Sequence, residues 1–395
     1  MTAILISKLR AMVKNRLRPL YNYLQKWFAQ EGLYQNINYN PLCKQKRALI
    51  SYITYPFNHS YEERIGHTSN IEIAVIVKTF IDMDCVVDVI HCENNTDINK
   101  IAAKKYDYIF GFGKPWAVAA EKNPHSCKVM YLTECAPMFS AEQEQLRLDY
   151  YAQRHRKRLP LVRSNKHFLD EHIKKANIGA FFGNMYTAET YIHQFPLMKL
   201  NLLSPSGFRN IKMNICPPPG DACSFLWFGS WGAIHKGLDI LLDVFRDIPE
   251  AKLYIAGLRD GEKWILNDYK RCDNIINLGF LDVQSIEFLK LTEKIPYCIL
   301  PSASEGMSTS VLTCMRHGMI PVITPACGID VADYGYLIED YHIEAVTQKV
   351  QELMQVPKTE RQRRRQAAYD DANEKYSLEA FSCGMQEFIK SLVAI

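Results

Sequence analysis

The sequence predicts an α/β chain made of two Rossmann-like, doubly wound parallel-sheet domains that face a cleft, preceded by a basic amphipathic helix. Three observations carry this. The 395 residues exceed the roughly 100 to 200 that one domain usually organises. From Arg47 onward short β-rich runs alternate with helix-patterned segments, the order a parallel sheet with crossover helices requires. One Pro- and Gly-rich stretch, residues 205–222 with SPSGF and PPPG, interrupts that alternation, and the pattern then restarts.

In chain order, residues 1–40 form an N-terminal extension. Leu5, Leu9, Met12, Val13, Leu20, Leu24, Trp27 and Phe28 recur at helical spacing, with Lys8, Arg10, Lys14, Arg16, Arg18 and Lys26 between them. Two readings fit: a helix lying on an anionic membrane surface through residues 1–30, or an extension packed on its own protein. Residues 41–204 form the first domain, whose strands are ALISYITY, VVDVIH, YDYIFGF, CKVMYLT, NIGAFFG and KLNLLS. After the linker at 205–222, residues 223–375 form the second, with strands FLWF, AKLYIAG, IINLG, YCIL, IPVIT and YGYLIE. Leu238, Leu241, Leu242 and Phe245 lay one apolar helix face on that second sheet. Residues 376–395 are a final amphipathic helix, long enough to cross back to the first domain.

Composition excludes several classes. With 48% hydrophobic and 23% charged residues, the chain can bury real cores and is not a disordered protein. A net charge of +4 gives no case for a nucleic-acid partner. The basic runs at Arg154–Arg158 and Arg361–Arg365 lack interleaved aromatics and read as solvated helix faces. The twelve cysteines contain no C-x-x-C pair and read as small core residues of a cytoplasmic protein. No run approaches the ~20 apolar residues of a membrane span, and Lys8 and Arg10 break up any signal peptide. The expected location is the cytoplasm, with peripheral attachment to the inner face of the cell membrane if the amphipathic helix binds lipid.

In open α/β sheets ligands bind beyond the carboxyl ends of strands, which directs attention to two turns. After FLWF comes Gly229-Ser230-Trp231-Gly232-Ala233-Ile234-His235-Lys236-Gly237, a lysine at a helix N-terminus that suits a phosphate; a solvated lysine in a glycine-bracketed loop is the plain alternative. After YCIL comes Ser304-Glu305-Gly306-Met307-Ser308-Thr309-Ser310. There Glu305 can accept from sugar hydroxyls, and Ser308 and Thr309 either cap the next helix or hold phosphate oxygens. Neither turn is a Walker phosphate loop, and Gly111-Phe112-Gly113 lacks the third glycine of a dinucleotide fingerprint. On the first domain, His67, Asn70, Glu134 and Asn184 stand in strand-end loops and are candidates for an acceptor side, with surface or capping roles as alternatives. Asp82-Met83-Asp84 sits at the opposite end of its elements and is discounted as a metal site.

Taken together, FGSWGAIHKGLDILLDVF, NIINLGFLD and LPSASEGMSTSVLTCMRHGMIPVIT resemble the nucleotide-sugar-binding domain of GT-B glycosyltransferases of the retaining family-4-like group, over residues 225–340. The resemblance implies that Lys236 contacts the donor diphosphate and that Glu305, the first glutamate of an E-x7-E motif, contacts donor-sugar hydroxyls. Gly229, Ser230, Gly306, Met307, Ser308, Thr309 and Thr313 complete the implied donor site. Thr313 departs from the family, standing where the second glutamate grips ribose, and Ser230 stands where an arginine often binds phosphate. The implied activity is transfer of a hexosyl group from a nucleotide-diphosphate sugar to a glycan or lipid-linked acceptor, with retention, no metal and no cofactor; the basic N-terminal helix points to an acceptor of the cell envelope or capsule. The implied catalytic set is Glu305, Lys236, His67 and Glu134. The alternatives are a catalytically silent nucleotide-sugar-binding protein, and a GT-B sugar-nucleotide epimerase or phosphorylase.

Overall fold

The computed structural model of the chain describes residues 32–57, 68–163, 168–210, 212–213 and 215–392. The N-terminal amphipathic segment and His67 lie outside the described residues. The chain divides into two compact units, Met1–Val129 and Met130–Ala394.

In the first unit, β1 (Leu33–Ile37), β2 (Arg47–Tyr52), β3 (Val86–His91) and β4 (Tyr108–Gly111) lie in the order β1-β3-β2-β4. β2 is parallel to β3 and β4, and β1 runs antiparallel along β3. The helices are α1 (Thr68–Asp82), α2 (Ile98–Ala102) and α3 (Gly113–Lys122). Leu49, Ile50, Val87, Val89, Ile73, Ile76 and Phe80 are fully buried, as expected where helices cover a parallel sheet. The edge strand β1 was not anticipated. Its LYQNI sequence is only half-buried, and a register shift between Tyr34 and Ile37 breaks its alternation, so it carries little periodic signal.

The chain passes into the second unit within β5 (Cys127–Leu132). There follow α4 (Pro137–His155), α5 (Asp170–Ile173), β6 (Ile178–Phe182), α6 (Met185–Gln194) and β7 (Lys199–Leu203), with β6 and β7 parallel. After residues 204–223, which carry no strand or helix among those described, a second sheet begins. Its strands are β8 (Ser224–Phe228), β9 (Lys252–Ala256), β10 (Ile275–Gly279), β11 (Tyr297–Leu300), β12 (Ile320–Ile323) and β13 (Tyr336–Leu337). They lie in the order β10-β9-β8-β11-β12-β13, parallel throughout. Between them run α7 (Leu238–Arg246), α8 (Ile286–Lys294) and α9 (Thr309–Met315). α10 (Ile343–Met354), α11 (Lys358–Lys375) and α12 (Leu378–Ser391) follow. Every strand expected from the sequence is present.

α7 buries Leu238, Leu241, Leu242 and Phe245 completely. Each such side chain contributes about 1.5–3 kcal/mol, so truncating Leu242 to alanine would cost about 2–5 kcal/mol. α12 returns to the earlier strands of the same unit, where Phe381 meets Phe182 at 6.4 Å.

Two expectations are corrected. The basic run on α11 is a solvated face only in part: Arg363 is exposed, but Arg365 is fully buried and Arg361 is only 9% exposed. Arg365 donates to the carbonyls of Pro218, Thr292 and Gly318, and Arg361 to those of Pro219 and Gly220. Three consecutive prolines offer carbonyls but no N–H donors; the guanidinium forks satisfy those of Pro218 and Pro219, and Gln362 Nε2 donates to that of Pro217. Arg154 is likewise drawn in, paired with Asp239 and Asp243 of α7. The cysteines are also not uniformly core: six are buried, while Cys43 and Cys383 are exposed.

Candidate active site

In the second sheet the strand order reverses between β8 and β11. β9 and β10 extend from one side of β8, and β12 and β13 from the other side of β11. Because β8 and β11 are parallel neighbours, their carboxyl ends open side by side, and a ligand crevice is expected at such a switch point. The two sequence-selected turns, 229–237 and 304–309, leave those ends.

Several contacts knit the turns together. Gly237 has φ +69°, and a Cβ there would sit 2.5 Å from the carbonyl oxygen of Pro301, so only glycine permits both the left-handed backbone and the close approach. Ala303 N donates to His235 O at 2.7 Å. The His235 ring bonds through Nε2 to Ser304 O at 2.5 Å. Trp227 Nε1 supports the first turn from below through Lys236 O at 3.1 Å.

This arrangement brings Lys236 and Glu305 into a buried ion pair, each side chain about one-tenth exposed. Ser302 Oγ donates to the same Glu305 oxygen at 2.9 Å. Burial by itself would raise the Glu305 carboxyl, but Lys236, Arg163 and His235 outweigh it and hold the carboxyl at about 2. Burial pushes His235 down to about 3, so its ring is neutral at pH 7. Its Nδ1 is buried without a hydrogen-bond partner.

Residues from 133 to 163, in the same unit, hold the second turn from outside. Gly306 is pressed against Thr133, whose carbonyl oxygen would lie 2.3 Å from a Cβ at that position. The Cys135 thiol donates to Glu305 O. Arg147 of α4 donates to Pro301 O at 2.7 Å, and Ser304 Oγ meets Ser140 Oγ at 3.0 Å.

Residues 222–356 match a family model described as Glycosyl transferases group 1. The matched segment spans about a third of the chain. It contains both turns. The fold agrees with solved GT-B structures. Sucrose-phosphate synthase from Thermosynechococcus elongatus shares 14% identity at a TM-score of 0.61, aligning 89% of this chain with 100% of that one. HepE of Anabaena, solved in complex with UDP-glucose, shares 13% identity at a TM-score of 0.59, aligning 88% of this chain with 100% of that one. No curated protein matches at the sequence level.

Within the matched segment the remaining expected donor residues divide. Gly306 and Met307 lie in the buried turn beside Glu305. Gly229 N is bonded to Ala256 O, and Ser230 Oγ accepts from Arg259 at 3.3 Å. Ser308 occupies the N-cap position of α9, but its hydroxyl meets Ser310 Oγ instead of a backbone amide. Thr309 opens α9, and its carbonyl accepts from Thr313 Oγ1 at 2.8 Å, which also accepts from Phe208 N at 3.0 Å. Thr313 is 3% exposed. Its hydroxyl proton is thus donated and one of its two lone pairs is filled inside the protein, which leaves one acceptor position on Thr313.

The residues named for an acceptor side also separate. Glu134 stands beside Gly306 through the Thr133–Glu134 backbone and is paired with Arg163 at 2.9 Å. Asn184 is the N-cap of α6, accepting from Thr187 N, and its amide donates to Asp330 at 2.8 Å. Asn70 is a buried residue of α1 in the first unit.

Two charged groups escaped the sequence reading. Arg163 lies over the first turn, since a Cβ on Gly232 would touch its Cγ and Cδ at 3.0 Å. Burial would lower its pKa, but Glu134, Glu305, Glu144 and Glu262 together raise it. Its loop is pinned by Glu144, which accepts from Val162 N and Arg163 N, and by Trp231 Nε1 bonded to Val162 O. Glu262 points its carboxylate at the Gly232 and Ala233 amides at 2.8–3.1 Å. The anion expected on this turn is therefore partly supplied from within. Neither residue lies in a periodic segment or a recognisable motif, and no local signal marks them.

Proposed function

We propose that this chain transfers a hexosyl group from a nucleotide-diphosphate sugar to a hydroxyl of a glycan or lipid-linked acceptor, with retention at the anomeric carbon and with no metal or cofactor. The observation that carries the proposal is the buried Lys236–Glu305 pair at the switch point of the segment that matches the group 1 glycosyltransferase model. In the free protein each member neutralises the other. A donor offers both a better partner: the sugar hydroxyls donate to Glu305, and an ammonium with three donors extends toward the diphosphate.

As the anomeric C–O bond to phosphate breaks, negative charge grows on the leaving oxygen, and Lys236 and Arg163 are the cations placed to meet it. The acceptor oxygen forms the new bond to the anomeric carbon, and its proton leaves with the diphosphate. Fixed charges act most strongly where charge develops, and loss of such a group lowers the rate about 10²-fold or more. Glu134, paired with Arg163, is assigned to the acceptor side. The single acceptor position on Thr313 cannot grip the ribose as a carboxylate does, so the donor is held chiefly through sugar and diphosphate.

The acceptor is assigned to cell-envelope or capsular polysaccharide synthesis. Its site of action is the cytoplasmic face of the membrane, reached through residues 1–30, which liposome flotation with and without that segment tests. Since HepE was solved with UDP-glucose, a donor panel starts from UDP-glucose and reads released nucleoside diphosphate, with the product anomer assigned by NMR and the assay repeated in EDTA. Unchanged turnover in both Lys236→Ala and Glu305→Ala overturns the site. Tight donor binding without release favours a silent binder, consistent with the committed Thr313 hydroxyl. Epimer or sugar phosphate formed without acceptor favours the epimerase or phosphorylase reading.

A further inference from the structure

Between the first turns of α4 and the outer face of α6 lies a groove of about 260 Å³. Met138, Phe139 and Glu142 line it from α4, and Tyr186, Glu189 and Gln194 from α6. The Phe139 and Tyr186 rings meet edge to face at 5.9 Å, and Met138 is 56% exposed. Gln194 donates through Nε2 to Asp170 at 2.8 Å, whereas its Oε1 is buried without a partner.

The groove is built on the same backbone as the proposed active site. Thr190 Oγ1 accepts from Ala136 N, Tyr191 OH donates to Glu134 O, and Thr187 Oγ1 donates to Gly306 O. Thr190 itself lines the groove, so helix α6 ties the groove directly to the Ala136 backbone and, through Thr187 and Tyr191, to Gly306 and Glu134.

Its chemistry narrows the occupant. Aromatic and thioether surface takes apolar C–H faces, while two carboxylates and a bare amide oxygen take hydroxyl or ammonium donors. A sugar ring offers both on one small body. The volume falls below the roughly 300 Å³ at which pockets hold larger ligands, which matches a single ring. The lining also carries the imidazole of His193, but Glu142 and Glu189 outnumber it and together oppose a phosphate or carboxylate at close range.

We propose that this groove is an acceptor subsite holding a neutral or amino-bearing sugar ring of the acceptor glycan, away from the hydroxyl that receives the transferred sugar. The proposal rests on the glycosyltransfer reading above. The test is saturation-transfer NMR and calorimetry on the full chain with trimers of N-acetylglucosamine, glucosamine and galacturonic acid. The two non-acidic trimers should include a binder and the galacturonate trimer should not bind. Tyr186→Ala should weaken binding about tenfold, the equivalent of one aromatic contact, and the Glu142→Gln/Glu189→Gln pair should weaken the amino trimer most. Hydrolysis of UDP-glucose in the absence of acceptor is the control and should not change in these variants. Failure of both non-acidic trimers, equal binding of galacturonate, or an unaffected Tyr186→Ala overturns the subsite. So does loss of self-association in Tyr186→Ala by sedimentation, which would make the groove a protein interface. If sugar binding behaves as expected but no nucleotide sugar is turned over in any assay, the subsite stands and the transferase reading falls.

Discussion

The two strand-end turns of the second sheet each engage a buried carboxylate, and they use it differently. In the turn at 229–237, Glu262 is spent on backbone amides, with three contacts to Gly232 and Ala233. In the turn at 304–309, Glu305 faces a side-chain ammonium, that of Lys236, and a hydroxyl, Ser302. An amide fixed in a turn has one direction in which to donate. A lysine has three donors on a flexible stem and can share itself between a carboxylate and an incoming phosphate. Burial alone therefore does not distinguish the two carboxylates; the partner's freedom to be shared does, and it is the ground for assigning the donor sugar to Glu305.

Glu305→Gln should break this contrast most severely. It keeps the side-chain shape but removes the charge that Lys236 faces, and turnover should fall by about 10²-fold or more while the protein remains folded by circular dichroism. Glu305→Ala should be worse behaved, because removing one member of a buried pair costs about 3–5 kcal/mol. If Glu262→Gln lowers turnover as much as Glu305→Gln, the distinction between the two turns is wrong.

Arg163 comes next. Packed over Gly232 and held by Glu134, it is expected to help bind the diphosphate, so Arg163→Ala should weaken nucleoside diphosphate about tenfold and leave affinity for the bare nucleoside unchanged. Calorimetry with both ligands checks this. Equal loss for both would make Arg163 a packing residue, and Arg163→Lys should restore only part of the difference, since an ammonium cannot reproduce a planar fork.

How much of this was legible in the sequence follows the range of the interactions. Strand runs such as FLWF and YCIL, and the 3-4-7 spacing of α7, are local patterns and were read directly. The two turns stood out because glycines next to a lysine or a glutamate after a strand are also local. That Lys236 and Glu305 pair was not legible, since they are 69 residues apart and only the β8–β11 adjacency joins them. Arg163 and Glu262 were hidden for the same reason, each acting on a turn far away in sequence. The arginines of α11 misled in the opposite direction: their composition reads as solvent-facing, and the proline carbonyls that bury them lie about 145 residues earlier.

A smaller effect is expected on stability from Glu262→Ala. It leaves the Gly232 and Ala233 amides buried without acceptors, a loss of about 1–3 kcal/mol. In a unit of this size that lowers the thermal midpoint by roughly 2–4 °C per kcal/mol. An unchanged midpoint would mean that water replaces the carboxylate and that the turn does not depend on it.

The subtlest test is the acid limb of stability. His235 and His317 are held down by burial to about 3 and about 4, against about 6.5 in an unfolded chain. Below pH 6.5 the unfolded state takes up protons that the folded state refuses, so stability declines as pH falls from there toward 4. Glu305, held at about 2, adds its loss as pH falls from the ordinary carboxyl value toward 2. The urea midpoint should therefore drop between pH 7 and pH 5, before any carboxylate has titrated appreciably. His317 sits in α9's trailing turn, bonded to Asn210 N and Thr313 O, while His235 bridges the two strand-end turns through Ser304 O. A His235→Gln variant that flattens the slope, where His317→Gln does not, places the acid-sensitive seam between the turns; a flat wild-type profile from pH 7 to pH 5 would show that neither ring is buried neutral.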